Sequence, residues 1–260
     1  MTKPGIRAVF LDMDGTLISF KTHRIAKSVF DSLSKLKEKG IRLFIATGRG
    51  KDGLGVLEGF PFDGYITLNG QFCFTDDEVL YENTLNPSSV ELLLREIEKD
   101  PVPVGFQLRE ERVFNFRNAL VDEIHAITNN DDAPAGDISG IASKPIYQCM
   151  VFMDEEKEKE LLKKLPDCHS ARWYPTFFDL SPKGGTKVKG MDRFLRHFNI
   201  PLEESLAIGD GGNDLEMIMH AGIGCAMKES NPVLFDHADY VCSDVEEEGV
   251  TDCFRHYGLL

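Results

Sequence analysis

No apolar run in this 260-residue chain approaches the roughly 18 residues that a bilayer-spanning helix requires, and no leader-like segment precedes the first strand pattern. These absences predict a soluble, cytoplasmic protein with no membrane partner. Basic residues are also scarce, with 29 Lys and Arg against 43 Asp and Glu, a formal net charge of −14 and no basic stripe. Binding to a phosphate backbone draws on clustered Lys and Arg, so nucleic acid is not expected as a partner. The six cysteines, at 73, 149, 168, 225, 242 and 253, include no C-x-x-C pair, and the seven histidines supply no companion spacing. They read as reduced core residues rather than as disulfides or a zinc site. Internal repeats and low-complexity tracts are lacking too. What is plentiful is apolar sequence, 42% of the chain, enough for one sizeable core plus an inserted lobe.

The run Val9-Phe10-Leu11-Asp12-Met13-Asp14-Gly15 reads as a buried strand that ends in two carboxylates and a turn. In an open parallel sheet, ligands bind outside the carboxyl ends of the strands, which places Asp12 and Asp14 in a candidate site. One carboxylate can attack while the other handles protons, and the pair suits a hard cation such as Mg²⁺. A solvated acidic turn is the bland alternative for this triplet taken alone.

A second acidic cluster has the same grammar. Leu206-Ala207-Ile208-Gly209 is followed by Asp210, Gly211, Gly212, Asn213 and Asp214 and then by a helix pattern, so Asp210 and Asp214 can reach one cation. Two further elements suit a phosphate. Thr47 ends the apolar strand 41–46 and is followed by Gly48 and Arg49, and Lys187 stands at the start of a helix that carries Val188, Met191, Phe194, Leu195 and Phe198. The hydroxyl of Thr47 can donate to a phosphoryl oxygen, and Lys187 can act as a point-charge clamp. Singly, Thr47 also reads as a helix cap, Lys187 as a surface lysine and Asn69-Gly70 as a tight turn. The coincidence of four such elements in chain order, each on a strand end or helix start, favours a site.

The remaining pattern predicts strands near 6–12, 41–46 and 63–68, a helix at 25–39 and a flap or hairpin at 69–80. From about 84 to 182 the grammar changes to α-β-β-α-β-α-β-β, with a polar loop at 129–140. A helix at 186–198 and strands near 205–209, 222–226 and 239–242 then resume the parallel pattern. The expected organisation is an α/β, Rossmann-like core of 1–83 and 183–260 with an inserted α+β lobe at 84–182 that hinges near 83 and 182.

The four motifs resemble those of the haloacid dehalogenase superfamily: D-x-D-x-T at 12–16, a strand-terminal Thr at 47, Lys187, and G-D-x-x-N-D at 209–214. T-G-R at 47–49, Asn69-Gly70 and G-x-x-K at 184–187 are similar to the Cof-type branch, whose members carry a large C2B cap. The resemblance implies a Mg²⁺-dependent phosphatase acting on small phosphorylated metabolites, with sugar phosphates leading, through an aspartyl phosphate. It implies Asp12 as nucleophile and Asp14 as acid and base. It also implies metal ligation by Asp12, Asp210, Asp214 and the Asp14 main chain, and phosphate contacts from Thr47, Lys187 and Asn213. Gly48, Arg49 and Asn69 are candidate substrate contacts, and in the cap Arg109, Gln148, Arg172, Trp173 and Tyr174 either meet substrate or pack the cap sheet. The alternatives are a phosphotransferase or phosphomutase using the same intermediate, and a phosphometabolite-binding domain without turnover. A monomer or a small homo-oligomer is compatible with this reading.

Overall fold

A computed structural model describes residues 5–128 and 133–260, with the side chains of residues 127, 128 and 173 outside the described set. The start of the expected polar loop at 129–140 therefore falls outside the described residues. The chain separates into two compact units, one of residues 1–49, 54–82 and 185–260, the other of 50–53 and 83–184. The placement of 50–53 with the second unit has no signal in the sequence pattern.

The first unit begins with β1 (Ala8–Leu11), α1 (Lys27–Glu38), β2 (Arg42–Ala46) and β3 (Gly64–Thr67), followed by β4 (Phe72–Phe74) and β5 (Val79–Glu82). The second unit adds α2 (Pro87–Lys99), β6 (Val104–Gln107), β7 (Arg112–Phe114), α3 (Ala119–Thr128), β8 (Gln148–Val151), α4 (Glu155–Lys164), β9 (Cys168–Tyr174) and β10 (Phe177–Pro182). The chain then returns to the first unit through α5 (Lys187–His197), β11 (Ser205–Gly209), α6 (Leu215–His220), β12 (Ile223–Ala226), β13 (Tyr240–Val241) and α7 (Gly249–His256).

The sheet of the first unit runs β13-β12-β11-β1-β2-β3-β4-β5. Its strands are parallel from β13 to β3 and antiparallel at β4 and β5, so the expected hairpin is an extension of the main sheet. β1 is buried along its whole length because both faces of a parallel sheet are covered by helices. The period of two divides its side chains: Val9 and Leu11 join Leu33 of α1 and Phe254 of α7 on one face, while Ala8 and Phe10 join Met191 and Phe194 of α5 on the other. On that second face Phe10 stacks on Phe44 at 4.8 Å between ring centroids and Phe44 meets Phe194 at 4.9 Å. Each such ring contributes about 1.5–3 kcal/mol on full burial.

The second unit is an antiparallel sheet in the order β7-β6-β8-β10-β9. Val90, Leu93 and Ile97 of α2 and Leu161 of α4 pack with Phe106, Cys149 and Val151, while Val121 and Ile124 of α3 pack with Phe114, Met150 and Phe177. The alternation along β8 again sends neighbours to opposite faces. Among the described residues no helix is long and apolar enough to cross a membrane.

Candidate active site

β1 lies between β11 and β2, so the order of strands reverses there and a crevice opens beyond their carboxyl ends. The Asp12 amide donates to the Ile208 carbonyl at 3.0 Å, which carries the β1–β11 pairing one residue past the strand and fixes Asp12 at the crevice floor, only 6% exposed. The chain then turns. The amides of Leu17 and Ile18 donate to the Met13 carbonyl at 2.9 and 2.7 Å, and Gly15 takes a φ of +80°. A Cβ on Gly15 would collide with the Asp210 carboxylate, whose Oδ1 accepts from Thr16 Oγ1 at 3.0 Å. We expect Gly15→Ala to cost about 1–2 kcal/mol from its left-handed backbone alone. The Thr16–Asp210 contact should be lost with it, because Asp210 must move; equal melting temperatures of the two proteins would show that this packing is not needed.

Asp214 is fully buried, and its Oδ2 accepts the amides of Asp210 at 3.1 Å and Gly211 at 2.9 Å. Lys187 opens α5 and is 3% exposed, far from the surface lysine that its neighbours Lys183 and Lys189 suggested. Its Nζ donates to Asp12 Oδ1 and to Asp214 Oδ1, each at 2.6 Å. Gly70, at φ +95°, makes this possible, since a Cβ there would strike the Thr186 carbonyl just before Lys187.

Asp12, Asp210 and Asp214 each offer an oxygen within 4.8 Å of the others, a set that can hold a metal ion. Three carboxylates face one ammonium, so a formal charge of −2 is concentrated in a mostly buried pocket. Burial, then the charge of Asp214, pushes the Asp12 carboxyl well above its usual range, with Lys187 opposing. Burial and Asp214 likewise push Asp210 up to about 7. Burial alone would lower Lys187, but the two carboxylates that it touches outweigh this and raise it. The lysine therefore stays charged, and the surplus negative charge is relieved by protons or by a hard divalent cation bound to oxygen.

A carboxyl raised from 3.8 to about 7 gives stability that is complete below its unfolded value and lost as pH rises through the folded one. Melting of the chelator-treated protein should therefore fall between pH 5 and 7.5 more steeply than that of Asp210→Asn. Added Mg²⁺ should raise the melting temperature more at pH 7.5 than at pH 5. Parallel pH profiles for the two proteins would remove Asp210 as the titrating group.

Asp14 stands apart from this trio. Its two oxygens accept from Arg49, Oδ2 from Nε at 2.8 Å and Oδ1 from Nη2 at 2.7 Å, a forked pair that sequence spacing did not reveal. Thr47 is buried at the end of β2 and its Oγ1 accepts the Arg49 amide at 3.0 Å, a local turn bond of the capping kind. Gly48 lies against Asn69, where a Cβ would be 3.4 Å from the side-chain amide. Asn69 takes a φ of +53°, and its Oδ1 accepts from Asn213 Nδ2 at 2.9 Å, so the two asparagines share one edge of the crevice.

Of the candidates in the second unit, two are occupied structurally. Arg172 donates to Glu158 at 2.7 Å and to the carbonyls of Pro175 and Met153 at 2.8 Å each, and Tyr174 Oη donates to Glu123 at 2.8 Å. Gln148 is buried in β8, Arg109 Nε donates to Tyr147 Oη at 3.5 Å, and the Trp173 side chain lies outside the described residues. The cysteines are all buried and unpaired by disulfides, as expected, yet three of them, Cys225, Cys242 and Cys253, converge on one point. They come from three separate elements, so no local spacing announces them.

Comparison with known proteins follows the same lines. The chain is 29% identical over 259 residues to YkrA of Bacillus subtilis (strain 168), covering 98% of each protein. It is 26% identical over 264 residues to an HMP-PP phosphatase of Yersinia pseudotuberculosis, covering 96% of this chain and 95% of that one. Among solved structures, the sugar phosphatase BT4131, described as HAD subclass IIB, superposes with a TM-score of 0.87 at 38% identity over 98% of this chain and all of that one. The family of haloacid dehalogenase-like hydrolases matches from residue 9 to 254, from the strand that leads into Asp12 to the last helix, and the chain belongs to it.

Proposed function

We propose that this protein is a Mg²⁺-dependent phosphatase that hydrolyses small phosphate monoesters, sugar phosphates foremost, through an aspartyl phosphate on Asp12. The observation that carries this reading is the −2 cradle of Asp12, Asp210, Asp214 and Lys187 at the sheet's switch point, with a separate carboxylate, Asp14, two residues from the first. Lys187 holds Oδ1 of Asp12, so the carboxylate is presented in one orientation and Oδ2 attacks phosphorus. As the bond from phosphorus to the ester oxygen breaks, Asp14 gives its proton to that oxygen. It then takes a proton from the water that attacks the acyl phosphate, which releases inorganic phosphate and restores Asp12. Because Arg49 occupies both oxygens of Asp14, that pair must open for the proton to pass.

Thr47, Lys187 and Asn213 bind the phosphoryl oxygens, where their donors stabilise charge in a loose in-line transition state. Gly48, Arg49 and Asn69 line the substrate side. A Mg²⁺ held by Asp12, Asp210, Asp214 and the Asp14 main-chain carbonyl would neutralise the repulsion between carboxylate and phosphate dianion. Residues 84–182 serve as the cap that selects the ester. Sugar phosphates lead because BT4131 is a sugar phosphatase, and the likeness to an HMP-PP phosphatase keeps other phosphorylated metabolites in the panel.

The test is inorganic phosphate release over a panel of sugar, nucleotide and cofactor phosphates, with Mg²⁺ or with chelator. We expect Mg²⁺-dependent release, fastest with a sugar phosphate. Isomerised sugar phosphate with no free phosphate would assign transfer instead, and ligand binding with no turnover of any ester would assign a binding domain.

A further inference from the structure

We propose that Cys225, Cys242 and Cys253 form a three-thiolate site for a soft monovalent cation, Cu(I), within the core of the first unit and separate from the carboxylate cradle. The three sulfurs lie within 4.8 Å of one another, and Cys253 Sγ donates to Cys225 Sγ at 3.4 Å. A small d¹⁰ ion sits about 2.3 Å from a thiolate sulfur, which places the three sulfurs of a trigonal shell about 4 Å apart. The 3.4 Å contact is shorter than that value and no sulfur pair exceeds 4.8 Å, so closing the shell needs only side-chain shifts of under about 1 Å.

The backbone holds the three positions in place. Cys225 is in β12 in register with Tyr240 of β13, and the Cys242 amide donates to the Ala226 carbonyl at 2.8 Å. α7 brings Cys253 over this pair. Its Asp252 Oδ2 accepts from Tyr240 Oη at 3.0 Å, from the Ser243 amide at 3.0 Å and from Ser243 Oγ at 3.2 Å, which ties the helix to the segment that carries Cys242. Gly249, at the start of α7, meets the Ser243 carbonyl so closely that a Cβ would not fit. Both braces flank ligand cysteines, and neither touches the carboxylate site.

The choice of ion follows from the donors. Among the described residues no His, Asp, Glu or further Cys joins the three sulfurs, whereas structural zinc takes four ligands. The trio is at most 2% exposed within the apolar core of the first unit, and the Tyr257 hydroxyl donates to Cys225 there. An all-sulfur, water-excluding shell selects Cu(I) over harder ions. The bland alternative is three small apolar side chains that fill a core.

The deciding experiment transfers Cu(I) from a bicinchoninate buffer to the reduced full-length protein without oxygen, with X-ray absorption of the product. We expect one equivalent bound in a shell of three sulfurs. Loss of a ligand should weaken binding at least about 100-fold in Cys225→Ala and Cys242→Ala, since loss of an outer-sphere partner alone costs 10–100-fold. Cys73→Ala, in the opposite core face, should bind as the parent does. No uptake, a shell containing nitrogen or oxygen, undiminished binding by folded Cys242→Ala, or Zn(II) held as tightly as Cu(I) would each overturn the assignment. The absorption spectrum of the parent protein decides the matter even if the variants fail to fold.

Discussion

Asp12→Asn should lower phosphate release by about 10⁴-fold or more while leaving the melting temperature of the metal-free protein unchanged or raised. An amide cannot form the acyl phosphate, so the chemical step is lost rather than slowed. Stability responds differently because Asp12 is one of three carboxylates sharing one lysine, and its ionised form is opposed by burial and by Asp214. The amide oxygen of Asn can still accept from Lys187, and the formal charge of the cradle drops from −2 to −1. Turnover and calorimetry on one preparation separate these effects. Activity within tenfold of the parent would remove Asp12 as nucleophile, and a large fall in melting temperature would show that the repulsion described above is already relieved.

Lys187→Met, unlike Asp12→Asn, should damage both properties. It removes the single positive charge from between Asp12 and Asp214 while keeping the length of the side chain, and leaving one side of a buried ion pair uncompensated costs about 3–5 kcal/mol. The loss should be smaller at low pH, where the carboxyls hold protons, and Mg²⁺ should restore part of it at neutral pH. Turnover should fall about 10²–10³-fold, the loss typical of one preorganised donor to a developing oxyanion. Urea unfolding with and without Mg²⁺ measures the stability effect. A change below about 1 kcal/mol would mean that the two carboxylates are not held ionised by this lysine.

Much of this was legible in the sequence because the signals were local. The apolar runs before Asp12, Thr47 and Asp210 gave β1, β2 and β11, and the rule that parallel strands present their carboxyl ends to ligands put those residues side by side. Lys187 was legible as the start of a helix but not as a buried residue, because its burial depends on Gly70 letting the Thr186 backbone approach closely. The Arg49–Asp14 pair could not be foreseen, since a turn sets the direction of each side chain. The cysteine trio was hidden for a related reason: β12, the residue after β13 and α7 each contribute one sulfur, and only the tertiary fold makes them neighbours.

The position of β1 at the centre of the sheet also sets a timetable for synthesis. Ala8 pairs with Arg42 on one side and with Ser205 on the other, so one edge of β1 can be matched soon after translation begins and the other only when β11 has emerged. The entropic cost of that delay is slight, since each doubling of a loop adds about 0.6 kcal/mol. The exposure is not slight. Until residues 205–209 arrive, a hydrophobic strand offers a bare row of amides and carbonyls to any other nascent chain, and a ribosome that stalls within 83–184 prolongs that interval.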